Sequence, residues 1–306
     1  MRALVTGVAG QLGHDVVNEL LRRGAEVTGS DIAPAYSGVQ DGTAVTTCDY
    51  VSLDITDREA VERVMREQRP DVLIHCAAWT AVDDAEDADK RELVQKINGL
   101  GTEYLAAACR EIDAKMMYIS TDYVFSGQGT TPWDPDCRDF DPQNVYGMTK
   151  LYGEEAVRQH LSKYFIVRIA WVFGVNGNNF IKTMLRVGAT HPELRVVDDQ
   201  IGTPTYTLDL AVLLADMVET EKYGTYHATN EGGYISWYEF AKAIFEEAGM
   251  DTKVIPVTTE EYGKSKAARP FNSRLAKEKL VEQGFTPLPE WRDALRRYVK
   301  LLREEA

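Results

Sequence analysis

A chain of 306 residues, 44% hydrophobic and 27% charged, suits one large α/β unit or two intimately joined domains, and no apolar run nears the roughly 18 residues that span a membrane. Its net charge of −14, without clustered Lys or Arg, argues against nucleic-acid and membrane partners. It still allows a small anion held by a helix N-terminus or a local arginine.

The first half alternates short β-rich runs with longer helical ones, the pattern of a doubly wound parallel sheet, Rossmann-like. Residues 2–6 read as the first strand and 11–23 as a helix ended by Gly24. Residues 26–31 and 48–53 make the next strands, and 57–68 a helix that Pro70 cannot extend. Strand 72–76, a long helix over 93–110 and strand 116–120 follow. The second half adds strands 164–169 and 224–227, and a helix over 236–248 whose Ser236 and Glu239 have capping-box spacing. The MRALVTGVAGQLG start lacks the apolar block of a signal peptide, so a cytoplasmic protein is expected. The four cysteines and five histidines have no metal-binding spacing.

Gly7-Val-Ala-Gly10-Gln-Leu-Gly13 lies between the first strand and first helix, where a turn without side chains lets backbone N–H groups approach a pyrophosphate. Its G-x-x-G-x-x-G spacing departs from the usual G-x-G-x-x-G, so position in the βαβ pattern carries the assignment. Asp31 closes the second strand 18 residues after Gly13, where an acid can accept from an adenosine ribose. Such a carboxylate favours NADH over NADPH. Asp54, after the third strand, is expected beside adenine, with Thr56 and Asp57 as the cap and first turn of the next helix.

Tyr146 and Lys150 are one helical turn apart and can face one ligand. Lowering a tyrosine pKa by about 3 units takes about 4 kcal/mol, on the order of what an ammonium about 4 Å away supplies at an effective dielectric near 20. Lys150 is therefore expected to prepare Tyr146 as a proton donor. Thr121, at the C-terminal edge of the sheet, is placed to hold a carbonyl oxygen.

With GVAGQLG, CAAWTAVDDAE, STDYVFSG, NVYGMTKLYGE, RIAWVFG, DDQIGTPTY and RPFNSRL spread over nearly the whole chain, the sequence resembles the extended short-chain dehydrogenase/reductases. Within them it is similar to the dTDP-4-dehydrorhamnose reductase family. The resemblance implies NAD(P)H-dependent reduction of the 4-keto group of dTDP-4-dehydro-L-rhamnose. It makes Thr121, Tyr146 and Lys150 the catalytic residues and puts Gly10, Gln11, Leu12, Asp31, Ala77 and Ala78 at the cofactor, beside Gly7, Gly13 and Asp54, with Asn98, counted among the cofactor residues, at the place of the asparagine that often supports the lysine. Asp122, Trp171, Asn179 and Arg269 are expected to bind the dTDP-sugar. The division expected is residues 1–172 and about 203–232 for the dinucleotide, and about 173–202 and 233–306 for the substrate.

Some members of that family form dimers through Mg²⁺ held by glutamates. Here His14-Asp15 stands at one such place and Glu193 is a possible second ligand, so a metal-linked dimer is not expected, although a homodimer is compatible. Thr121-Asp122-Tyr123 lacks the glutamate that sugar-nucleotide dehydratases carry. An epimerase and a non-catalytic relative resembling the methionine adenosyltransferase β subunit are the remaining rival readings.

Overall fold

Strands buried on both faces need nearly continuous apolar runs, and ALVT, VLIH and FIVRI supply them. The computed structural model describes residues 1–263 and 265–304. Six strands follow in chain order: β1 (Arg2–Thr6), β2 (Glu26–Asp31), β3 (Asp49–Ser52), β4 (Val72–His75), β5 (Lys115–Thr121) and β6 (Tyr164–Ile169). With Gly224–His227 they form a seven-stranded sheet in which Gly224–His227 lies at one edge, followed by β6, β5, β4, β1, β2 and β3. All pairings are parallel. The winding direction reverses between β1 and β4, the switch point at which open α/β sheets form ligand crevices outside their C-terminal strand ends.

The helices include α1 (Gln11–Arg22), α2 (Arg58–Gln68), α3 (Arg91–Gln95), α4 (Thr102–Ile112), α5 (Val145–His160), α6 (Phe180–Gly188), α7 (Thr207–Val218) and α8 (Trp237–Ala248), and a last helix spans Trp291–Glu304. On one face of the sheet Val16, Val17 and Leu20 of α1 pack with Leu210 and Leu214 of α7 against Val5, Ile74 and Val167. On the other, Val61 and Met65 of α2, Leu105 and Cys109 of α4 and Val157 of α5 cover Leu4, Leu73, Met116 and Ile166. A third cluster unites Phe173, Ile181, Phe240, Ile244, Trp291 and Tyr298. It stands beside a separate two-stranded parallel ribbon of Glu193–Val197 and Lys253–Val257. Among the described residues, no helix is long and apolar enough to cross a membrane.

Two local expectations need correction. The helix expected over 93–110 begins at Arg91 and passes through a π-helical segment, Lys96–Gly101, before α4. Its wider turn carries Asn98, whose side chain bonds Trp79 on one side and Thr149 on the other. Asp57, not Thr56, caps α2 by accepting from Ala60 N at 3.1 Å. Thr56 instead gives its N–H and hydroxyl to Asp54 Oδ1. The Ser236–Glu239 capping box forms as the spacing predicts.

The sheet is tied to α5 by a buried ion pair. Arg168 on β6 and Glu154 on α5 are fully buried and bond in parallel, Nε to Oε1 and Nη2 to Oε2, each at 2.8 Å. Ser120 of β5 and Arg158 also donate to this carboxylate, both at 2.6 Å. The guanidinium lies over Phe125 and Phe140 and reaches Pro135 O and His227. Burial alone would raise the Glu154 pKa, but the bonds and charge of Arg168, with Arg158 and Ser120, hold it down at about 2. Its stabilising contribution is therefore full above the ordinary glutamate value of 4.5 and is lost as pH falls through about 2. Removing one partner from a buried pair typically costs ~3–5 kcal/mol. Glu154→Gln should lower the urea midpoint of unfolding accordingly at pH 7 and weaken the wild-type dependence of that midpoint on pH between 4.5 and 2. An unchanged midpoint would show that the pair does not brace α5.

Candidate active site

A cavity of about 650 Å³ opens along the C-terminal strand ends. At one end the turn from β1 to α1 contributes Gly7, Gly10, Gln11, Leu12 and Gly13. At Gly7 and Gly13 the backbone leaves no space for side chains. Gly7 has φ +74°, and a Cβ on it would lie 2.5 Å from Ala77 N. A Cβ on Gly13 would lie 2.2 Å from Gly7 O. Gly10 caps α1 without a side-chain acceptor, so the free N–H groups of the first turn suit an anion. Asp31 braces this turn, its Oδ2 accepting from Ala9 N at 3.1 Å while Oδ1 accepts from Ile32 N at 2.8 Å. Asp54, Ala77 and Ala78 complete this end of the wall.

At the other end stand Thr121, Asp122, Tyr146, Lys150 and Trp171. Asn144 Oδ1 caps α5 by accepting from Gly147 N at 2.8 Å, and Glu86 accepts from Val145 N at the same distance. These two caps set the direction in which Tyr146 leaves the helix. Its ring meets Tyr123 edge-on, with centroids 5.5 Å apart. Lys150, one turn later, donates to Ile119 O at 2.7 Å and lies over the Tyr118 ring. Thr121 Oγ1 donates to Asp122 Oδ1 at 3.0 Å and accepts from Tyr123 N at 3.2 Å. Trp171 has a left-handed backbone, φ 52°, and stacks on Trp237 with centroids 3.7 Å apart. A bulky residue in that conformation is held there only by surrounding packing.

A glycine turn and a Tyr-x-x-x-Lys helix thus share one crevice, and comparison with known proteins places them. The family model described as the RmlD substrate binding domain matches residues 1–304. The chain belongs to that family. A dTDP-4-dehydrorhamnose reductase of Streptomyces griseus is 41% identical over 96% of this chain and 91% of its own. The solved structure of the same-named enzyme of Clostridium acetobutylicum has TM-score 0.88 at 42% identity, covering 99% of this chain and all of its own. That of Bacillus anthracis, in complex with NADP, has TM-score 0.87 at 41% identity over 98% and 99% of the two chains.

Within this RmlD-family fold, three residues expected at ligands lie behind the cavity wall. Asn98 is buried in the brace from Trp79 to Thr149, so it supports the helix carrying Lys150. Asn179 caps α6 through Lys182 N, and its amide nitrogen is taken up by Gln11, Gly174 and Tyr298. Arg269 donates to Asp83 at 2.7 Å and to the Tyr123 hydroxyl at 3.1 Å. Asp83 also accepts the backbone N–H groups of Lys266 and Ala267, so the acidic loop clasps the RPF segment. Conversely, Trp79 and Tyr123 line the cavity without having been singled out as site residues. Their positions inside CAAWTAV and STDYVF were the available signal. Among the described residues no cluster of three His, Cys, Asp or Glu could hold a metal. Glu193 pairs with Lys253, and His14 lies between Asp15 and Asp41.

The electrostatics also depart from expectation. Burial raises the Tyr146 phenol pKa. Contact with the Thr121 hydroxyl acts against that rise, and the charges of Asp122 and Tyr123 add to it. Lys150 does not reverse it, because its ammonium is directed to the Ile119 carbonyl. Burial brings Lys150 down to about 7, opposed by Glu154 and Cys76. Gly13→Ala should abolish measurable NADH binding by fluorescence titration, because the Gly7 carbonyl has no room to retreat. Unaltered affinity would remove the glycine turn from the cofactor site.

Proposed function

We propose that this chain reduces the 4-keto group of dTDP-4-dehydro-L-rhamnose with NADH or NADPH to give dTDP-L-rhamnose. The observation that carries the reading is a single cavity with a side-chain-free anion turn at one end and Thr121, Tyr146 and Lys150 at the other. A reduced nicotinamide bound along it supplies the hydride. Tyr146 gives its phenolic proton to the carbonyl oxygen as charge develops there, and the Thr121 hydroxyl orients that oxygen. Lys150 holds the nicotinamide ribose. Trp171, stacked on Trp237, offers an apolar face to the sugar, and Asp122 lies where it can accept a sugar hydroxyl. Arg269 can meet a substrate phosphate only in competition with Asp83.

Asp31 favours NADH. A 2′-phosphate at this end would meet its carboxylate, and among the described lining residues the one Lys or Arg is Lys150, at the opposite end. The Bacillus anthracis relative was solved in complex with NADP, so the preference must be measured on this chain. Wild type should show a higher kcat/KM with NADH, and Asp31→Ser should narrow the difference. A wild-type preference for NADPH would contradict the role given to Asp31.

Tyr146→Phe removes the proton donor while leaving the ring against Tyr123. Loss of a positioned general acid costs about 10²–10⁴-fold, so kcat for cofactor oxidation should fall within that range while cofactor affinity changes little. Turnover near wild type would show that another group protonates the carbonyl oxygen.

A further inference from the structure

Between Phe173 and α6 the chain makes a turn, GVNGNN, that carries three asparagines. Asn176 and Asn179 are buried and committed to the protein. Asn176 Oδ1 accepts from Val39 N at 2.9 Å and its Nδ2 donates to the Tyr36 hydroxyl at 3.3 Å, while Lys182 Nζ donates to the carbonyls of Val175 and Gly177. Gly177 bends the chain at φ +71°. Asn178, set between these fixed points, is exposed, lines the cavity and makes no side-chain hydrogen bond among the described residues.

The bonds of Asn179 determine what Gln11 offers. A backbone N–H can only donate, so the Asn179 atom that meets Lys182 N at 3.0 Å is its oxygen. Asn179 Nδ2 therefore faces Gln11 and takes the Gln11 oxygen at 3.0 Å, which leaves the Gln11 NH2 group unengaged in a residue that lines the cavity. The turn also lies close over Gln11. A Cβ on Gly174 would stand 3.3 Å from Gln11 Cβ, and one on Gly177 3.7 Å from Gln11 Cγ. Asn178 is thus held beside the first turn of α1, where uncapped backbone N–H groups already suit an anion.

We propose that Asn178 is a cofactor-binding residue, its side-chain NH2 group donating, with that of Gln11, to the dinucleotide diphosphate at the glycine turn. This rests on the glycine turn holding a dinucleotide, and it is independent of the carbonyl chemistry. Hydrogen bonds to ionised phosphate oxygens are stronger than those between neutral groups, so two oriented amides add to what the backbone N–H groups supply. The diphosphate cradle is then built from both halves of the chain. The second half contributes through a turn whose other two asparagines serve to hold Asn178 and Gln11 in place.

Calorimetric titration with ADP-ribose, which carries the diphosphate and no nicotinamide, reads this contact without turnover. Asn178→Ala removes the donors, and Asn178→Asp replaces one with a negative charge at nearly constant size. ADP-ribose affinity should fall about tenfold in the first and about 100-fold in the second, while dTDP affinity stays within about twofold of wild type. Because the Asn178 side chain bonds nothing in the protein, the thermal midpoint of the ligand-free chain should stay unchanged in both. Equal ADP-ribose affinity in all three proteins, a loss confined to dTDP, or a collapse of the thermal midpoint would overturn the assignment. A wild type that binds neither ADP-ribose nor NADH would remove the dinucleotide site itself, and this contact with it.

Discussion

The active-site helix depends on the carboxylate of Glu154. It lies one turn beyond Lys150 and two beyond Tyr146 on α5, and it accepts from Arg168 on β6, Ser120 on β5 and Arg158 on α5 itself. Two adjacent strands and the helix are therefore referred to one anion. Such a pair adds little net stability against an apolar replacement, because desolvating both charges offsets their attraction. What it contributes is geometry: a helix packed only through aliphatic side chains can slide by a fraction of a turn at small cost, whereas parallel guanidinium–carboxylate bonds tolerate little displacement.

The same anion reaches the chemistry. Burial would leave Lys150 uncharged more readily than in water, and the charge of Glu154 opposes that. Tyr146 receives no comparable help from Lys150, and burial dominates its titration. A phenol that keeps its proton in the ligand-free protein is suited to donate it only when an alkoxide forms within reach, so the site need not hold a free phenolate before substrate arrives. On the proposed role of Tyr146, the caps from Asn144 and Glu86 decide where that proton is offered.

Features that depend on local pattern were legible in the sequence. The sheet strands follow from apolar runs, the Ser236 cap from its spacing, and the joint position of glycine turn, Thr121 and Tyr146 from the order of strands and helices. What escaped depends on tertiary contact. The π turn at Lys96–Gly101 leaves no signature in the periodicity of its residues, and the contacts of Asn98 with Trp79 and Thr149 that accompany it come from other parts of the chain. Asn179 looked like a ligand contact in NNFIK but is a buried cap. Arg269 was expected at the sugar nucleotide, but the fold brings Asp83 to it. The spacing of Tyr146 and Lys150 placed both on one face, yet it could not show that the nearer carbonyl of Ile119 would take the ammonium. Glu154 was visible four residues past Lys150, but the arginine that makes it important lies on another strand.

Family membership, the cavity and the Thr121–Tyr146–Lys150 edge converge on carbonyl reduction with net consumption of cofactor. The most direct measurement is incubation of the purified protein with dTDP-4-dehydro-L-rhamnose and excess NADH, then NADPH, following cofactor absorbance and identifying the sugar nucleotide by NMR. The account predicts one cofactor oxidised per dTDP-L-rhamnose formed. Oxidation of neither cofactor, or conversion of the sugar without net cofactor oxidation, would contradict it.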